Sequence, residues 1–261
     1  MSGKARASPD AATEDTILGG RIRLRQPKTG YRVAIDSVLL PAAVPARSGD
    51  TVLDLGAGTG AAALCLVHRV PGARVVGLEL QPALARLARL NAALNGVSDS
   101  VDVAVGDVTH PPDRFAVATF SHAMMNPPHL AEARVRAPRS ASRRTAHVEG
   151  TTPLAAWIDL ALRSVKPRGT LTLIHRADRL AEILGELDGR AGDIVVFPLW
   201  PKSRGKPAIR VIVRARRGAA SPLRLEAGLV LHEDGGAYTR EADRILRDGA
   251  AIDLAPRARS A

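Results

Sequence analysis

The stretch Thr51-Val52-Leu53-Asp54-Leu55-Gly56-Ala57-Gly58-Thr59-Gly60-Ala61-Ala62-Ala63-Leu64 decides the fold. A short apolar run reads as a strand, three glycines on alternate positions read as a tight turn, and the Ala/Leu run after them reads as a helix. Glycines at such a turn admit unusual backbone angles and let a ligand lie against bare backbone. The G-x-G-x-G spacing departs from the G-x-G-x-x-G of dinucleotide binders and from the Gly-Lys-Ser/Thr of the P-loop. By itself such a loop is weak evidence, since a plain strand–helix turn uses the same residues.

The rhythm continues outward from it. Strands are expected at Thr51–Leu55, Arg74–Glu79, Val101–Gly106, Phe120–Met125, Thr170–His175, Ile194–Leu199 and Ile209–Ala215. Helices are expected at Ala61–Arg69, Pro82–Leu94, Pro153–Ser164, the last closed by Pro167 and Gly169, and at Arg179–Leu187. Pro82 suits a first helical turn, and Asn95-Gly96 suits a helix end. Strands alternating with helices make an α/β domain with a mostly parallel, doubly wound sheet. The last two strands have no helix between them, which predicts one antiparallel strand at the end of the sheet. Upstream, Ile17–Arg25 alternates apolar with basic residues, a strand with one charged face, and Asp36–Ala43 reads as a short helix. Residues 1–16 are read as a disordered tail, followed by a single domain over 17–261. That domain divides into an N-terminal extension (17–46), a core (50–216) and a C-terminal extension (217–261).

Two acidic residues join the glycine loop. Glu79 ends the second core strand, where a carboxylate can accept both ribose hydroxyl hydrogens, and Leu80 follows it. Asp107 stands just past the third strand, placed either to bind an adenine amino group or to start a turn. Three signals at three successive strand ends converge on one crevice. The pattern resembles the class I S-adenosylmethionine-dependent methyltransferases. The resemblance implies a Rossmann-like, seven-stranded, mostly parallel sheet with one antiparallel strand. It also implies S-adenosyl-L-methionine as cofactor, held by Asp54, Gly56, Ala57, Gly58, Gly60, Glu79, Leu80, Asp107 and Asn126.

Asn126-Pro127-Pro128-His129 follows the fourth strand. Two prolines there make a rigid loop. An exocyclic base amine is a poor nucleophile because its lone pair is delocalised into the ring. The Asn126 side-chain oxygen and the Pro127 carbonyl are acceptors that can hold its two hydrogens, so that proximity and alignment drive the reaction. The stretch resembles the Asn-Pro-Pro-aromatic motif of amino-methylating enzymes, which implies catalytic roles for Asn126, Pro127, Pro128 and His129. His129 stands where that family carries Tyr or Phe, although an imidazole can still stack on a flipped base. No second His or Cys lies at metal-ligand spacing from it, so no metal is expected. Enzymes acting on protein glutamine, adenine in DNA and guanine in rRNA carry similar loops.

Gln26-Pro27-Lys28-Thr29-Gly30-Tyr31-Arg32, with Ala34 to Leu40, is similar to the N-terminal signature of bacterial tRNA (adenine-N6)-methyltransferases. His147–Gly150, Leu173–Leu180, Pro198–Arg210 and Tyr238–Ala242 resemble the same group. The resemblance implies an adenine 3′ of the anticodon in a valine tRNA as target. Protein glutamine N5-methylation, rRNA guanine-N2 methylation and a catalytically inactive RNA-binding protein remain the alternatives.

Composition agrees with an RNA partner. The chain of 261 residues carries a net charge of +11, and polyanions are the natural partners of such a balance. Candidate RNA contacts are Arg134, Arg136, Arg143 and Arg144 in one Arg-rich stretch, Lys202, Arg204 and Lys206 in another, and Tyr31 at the pocket mouth. For each basic residue taken singly, the alternative is a solvated surface charge. Trp157 and Trp200 read as core or edge residues, and His175 as structural. The single cysteine, Cys65, excludes an internal disulfide and reads as a buried hydrophobe. With no signal-peptide-like or bilayer-length apolar run, a cytoplasmic monomer without membrane association is expected.

Overall fold

The computed structural model describes residues 12–30, 32–115, 117–128, 152–202 and 206–255. Its centre is a sheet of strands β3 (Thr51–Leu55), β4 (Arg74–Glu79), β5 (Val101–Val105), β6 (Phe120–Met125), β7 (Val165–Arg176), β8 (Ala191–Lys202) and β9 (Arg210–Arg217). They lie in the order β8-β9-β7-β6-β3-β4-β5. Only β9 runs antiparallel to its neighbours β7 and β8 among these seven. This is the expected sheet, with its antiparallel strand one position inside the edge rather than at it. The crossover from β7 to β8 leaves a slot one strand wide, and β9 returns from β8 to fill it. Two short strands, β10 (Arg224–Leu225) and β11 (Leu229–His232), pair in parallel with β8 and have no counterpart in the sequence pattern.

Helices α1 (Asp36–Ala42), α2 (Ala61–Arg69), α3 (Pro82–Leu94), α4 (Leu154–Ser164), α5 (Leu180–Leu187) and α6 (Arg240–Asp248) cover the sheet. One apolar cluster joins α1, α2, α3 and α6 to it through residues such as Leu39, Leu66, Ala88 and Ile245. A second joins α4 and α5 through Trp157, Ile158, Leu160 and Ile183. Cys65 is buried on α2, and burial pushes its thiol up to about 12, so it acts as the expected small hydrophobe.

The N-terminal region differs from expectation. Ala12–Ile17 forms strand β1, pairing with β2 (Ile22–Pro27), so residues 12–16 are not disordered and the anticipated strand at Ile17–Arg25 is broken by a turn. Leu18, Gly19 and Gly20 all have positive φ in that turn, which glycine makes inexpensive. The hairpin is stitched by charge, with Glu14 facing Arg23 at 2.7 Å and Arg25 at 3.3 Å. Compositional bias toward Ala and Asp reads as disorder only until a partner strand supplies these pairs.

Two asparagines one turn apart, at the end of α3, dock this hairpin. Asn91, fully buried, accepts the Arg25 N–H at 2.7 Å and donates to the Arg25 and Thr59 carbonyls, each at 2.9 Å. Asn95 accepts the Arg23 N–H at 3.0 Å and donates to the Arg23 carbonyl at 2.7 Å. The helix thereby supplies side-chain amides where a third strand would supply peptides. Asn91→Leu is expected to destabilise the chain by about 2–4 kcal/mol, because buried backbone groups lose their partners. Urea unfolding measures it, and a midpoint unchanged from the parent would refute the docking role.

Boundaries of elements also shift. Helix α4 ends at Ser164 as expected, but Pro167 and Gly169 lie within β7 rather than in a closing turn. The register shifts there, from Phe120 opposite Val165 to His122 opposite Thr170. A Cβ on Gly169 would meet the Ser121 carbonyl at 2.7 Å, so only glycine allows the close approach.

Candidate active site

Strands β3, β4, β5 and β6 all end at one edge of the sheet, and their following loops line a cleft. Its walls include Gly56, Gly58, Glu79, Leu80, Gly106, Asp107, Asn126, Pro127, Pro128 and Trp157. The glycine loop leaves β3 with φ of +73° at Gly56, +56° at Gly58 and +82° at Gly60, left-handed angles that explain the residue type. A Cβ on Gly56 would lie 3.0 Å from the Trp157 ring, so the loop is also pressed against α4. At Gly60 the neighbour would be Ala88 at 3.1 Å. That glycine lets α2 approach α3, and it does not line the cleft.

Glu79 shapes the loop. Its carboxylate accepts the Gly58 N–H at 2.7 Å and the Gln81 N–H at 2.8 Å. Burial raises its pKa, while these backbone bonds oppose the rise. A carboxylate offers about four acceptor positions, so lone pairs remain for ribose hydroxyls. Asp54 is 2% exposed beneath the loop, and its Oδ2 has no partner among the described residues. Burial first, and the Glu79 charge second, push it up to about 7. Two buried carboxylates with no paired cation among the described residues form an electrostatic hole. Asp107 starts a turn, accepting the Thr109 N–H at 2.8 Å, and also lines the cleft.

At the other side of the cleft, Asn126 follows β6 directly, with Pro127 buried and Pro128 partly so. No described group is hydrogen-bonded to the Asn126 amide, which leaves its oxygen available in the cleft. This places an acceptor, a rigid proline turn and a glycine-lined groove within one cavity.

A family model described as a methyltransferase domain matches residues 52–146. A predicted O-methyltransferase from Agrobacterium tumefaciens superposes with a TM-score of 0.69 at 29% identity, covering 83% of this chain and 98% of that one. In sequence and fold, the chain is similar to the class I S-adenosylmethionine-dependent methyltransferases. A Thermotoga maritima S-adenosylmethionine-dependent O-methyltransferase shares the fold at a TM-score of 0.54 and 17% identity, covering 74% of this chain and 68% of that one.

Two curated relatives carry the name tRNA1(Val) (adenine(37)-N6)-methyltransferase. That from Porphyromonas gingivalis is 35% identical over 169 residues, 62% of this chain and 66% of the relative. That from Dickeya chrysanthemi is 28% identical over 226 residues, 85% of this chain and 88% of the relative. This chain therefore spans just under two thirds of the Porphyromonas relative's length.

The class I cofactor is S-adenosyl-L-methionine, and the residues present fit it. The cofactor carries a sulfonium and an ammonium, and the orphaned Asp54 oxygen and the Glu79 carboxylate offer the complementary charge. The cleft brings together Gly56, Gly58, Glu79, Leu80, Asp107, Asn126, Pro127 and Pro128, as anticipated. Ala57 packs instead against Gly77 of β4, where a Cβ would lie 2.7 Å away.

Sequence reasoning missed part of what Trp157 does. The ring is core, as expected, but it also walls the cleft, with its Nε1 buried and unpartnered among the described residues. Aromatic scarcity, at 3% of the chain, is the available signal. Leu84, Val108 and Thr152 also line the cleft, with no signal in the sequence that points to them. Trp200 lies on β8 opposite Val230 of β11, one strand in from the edge, and donates to the Ala227 carbonyl at 3.0 Å. His175 is buried and accepts the Arg176 N–H at 2.8 Å, consistent with a structural role. His129, Tyr31, Arg134, Arg136, Arg143, Arg144 and Arg204 lie outside the described residues. Lys202 ends β8 and donates to the Asp234 carbonyl at 3.2 Å, while Lys206 is exposed. Because β8 runs parallel to β7, Lys202 stands at the cleft end of the sheet.

Proposed function

We propose that the chain transfers a methyl group to the N6 amine of an adenine in RNA, most specifically the adenine 3′ of the anticodon in valine tRNA. The carrying observation is the Asn126 amide, bonded to no described group, beside two prolines at the open end of the cofactor cleft. When bound, S-adenosyl-L-methionine supplies the electrophilic methyl. The chain's own groups do the rest. The Asn126 oxygen and the Pro127 carbonyl accept the two amine hydrogens, which fixes the nitrogen and favours its pyramidal form. The proline turn holds these acceptors without a conformational cost at each turnover. Pro128 and Trp157 wall the cleft and limit water. His129 stacks on the splayed base, as its place in the motif implies.

The names of the relatives support tRNA as the substrate class, and so does the net positive charge of the chain. Lys202 lies three strand positions from β6, on the order of 14 Å away across the sheet. An anticodon stem reaches across such a span. Lys202, Lys206, the arginines at 134, 136, 143, 144 and 204, and Tyr31 are the proposed RNA contacts, with the protein working as a cytoplasmic monomer. No described helix is long and apolar enough to cross a membrane.

The test is incubation with labelled S-adenosyl-L-methionine and bulk tRNA, followed by nucleoside analysis. Label recovered as N6-methyladenosine is expected. Label in ribonuclease-resistant protein, or in guanosine of rRNA, would replace the proposed substrate. Cofactor binding without transfer to any acceptor would overturn the enzymatic reading.

A further inference from the structure

A second cavity lies at the opposite end of the sheet from the cleft. On β9, Arg214 and Arg216 stand opposite Thr172 and Thr170 of β7, and Thr170 in turn faces His122 near the start of β6. With Arg47 and Arg69 they line a cavity of roughly 380 Å3, to which Asp193 and Asp253 also contribute. The segment Ala251–Ala255 forms its remaining wall, held by an Ile252 N–H to Ala42 carbonyl bond of 2.8 Å.

The charges in this cavity do not balance. Four guanidiniums line it against two carboxylates. Asp193 is already shared, at 3.3 Å from Arg216 and 3.9 Å from Arg224. Arg214 is only 6% exposed, and it donates to the Leu254 carbonyl at 2.7 Å. Arg69 donates through Nη2 to the Pro41 and Val44 carbonyls, at 2.8 and 2.7 Å, and its Nε lacks a partner among the described residues. Burial and the neighbouring Arg216 and Arg224 charges disfavour the Arg214 cation, and Asp193 and Asp253 only partly offset them. Carbonyl partners satisfy hydrogen bonds without neutralising charge. Arg214 is the buried member of this excess, Arg69 and Arg216 are partly buried, and Arg47 is exposed; cations held out of water are costly unless an anion accompanies them.

Arginines from a helix end, a strand and a loop thus line one cavity, and a tetrahedral oxyanion, which presents several acceptors at once, is the ligand that suits several guanidiniums. We infer that this cavity is a phosphate-binding site, separate from the methyl-transfer cleft. Its ligand is a phosphate group, either of a phosphorylated small molecule or of an RNA backbone. The cofactor carries no phosphate, so the site has no part in holding it.

The experiment is titration of the full chain with inorganic phosphate by calorimetry. S-adenosylhomocysteine is kept saturating, and ionic strength is held constant with chloride. Saturable binding of one phosphate per chain is expected, with a rise in Tm beyond that from chloride. Arg47→Gln and Arg216→Gln are each expected to weaken phosphate about tenfold, the loss typical of one charge-assisted contact. Affinity for S-adenosylhomocysteine should not change in either variant, which also shows that each folds. Phosphate acting no differently from chloride, or bound equally by the double variant, would overturn the site. Displacement of phosphate by tRNA supports it with a backbone ligand, and displacement by a mononucleotide alone supports it with a small-molecule ligand. None of these readouts uses methyl transfer, so the site and the proposed reaction stand or fall separately.

Discussion

Asn126→Ala is expected to lower the rate of methyl transfer by about 10²–10³-fold, the usual cost of removing one preorganised transition-state partner. Its affinity for S-adenosylhomocysteine should stay within about twofold of the parent, because the loss falls on the acceptor amine rather than on the cofactor. The physical basis is the division of labour in the cleft. The glycine loop, Asp54 and Glu79 sit on β3 and β4, while Asn126 follows β6 and is not hydrogen-bonded to any described group. Single-turnover rates and calorimetric cofactor binding on the same preparation separate the two effects. Unchanged turnover in the variant would remove Asn126 from the mechanism. Loss of both rate and cofactor binding would make it a structural or cofactor residue.

The second large effect is thermodynamic. Asp54 is buried beside Glu79, and its carboxyl is pushed up to about 7. A folded-state pKa above the unfolded value means that the folded chain binds the proton more tightly. Stability from this group is therefore present at low pH, declines as pH rises from about 4 through about 7, and is lost above that. Asp54→Asn removes the titration. The cofactor-free variant should be more stable than the parent at pH 8, by on the order of 2–4 kcal/mol, and little different at pH 4. Its cofactor affinity should fall about a hundredfold or more, because a desolvated carboxylate is well suited to a cationic ligand. Thermal melts at the two pH values and calorimetric titration decide it. Equal melts at pH 8 would mean that Asp54 is not held as a strained carboxylate.

Asn126 and Asp54 both stand out from the order of amino acids alone. Strands β3 and β4 and helices α2 and α3 fall where the sequence places them, because each apolar run is bounded by glycine, proline or a carboxylate at a strand end. The cleft follows from the same punctuation, since consecutive parallel strands must present their C-terminal loops on one side. Trp157 shows the limit. Helical periodicity puts it on the apolar face of α4, and nothing local says that this face also meets Gly56 across the sheet edge. Strand β1 shows another limit, for its polar residues form a strand by pairing with β2, through the backbone ladder as well as ion pairs, and the amides of Asn91 and Asn95 dock β2 in turn.

The sequence by itself determined the α/β class, the mostly parallel sense of the sheet, and the glycine loop and Asn-Pro-Pro turn at its edge, because each rests on residues adjacent in the chain whose local geometry is restricted. Tertiary structure alone decided where β9 inserts, that β10 and β11 extend the sheet, and that arginines 47, 69, 214 and 216 share one cavity. Those features depend on contacts between segments far apart in sequence, and local propensity carries no information about which distant charge will be buried beside which.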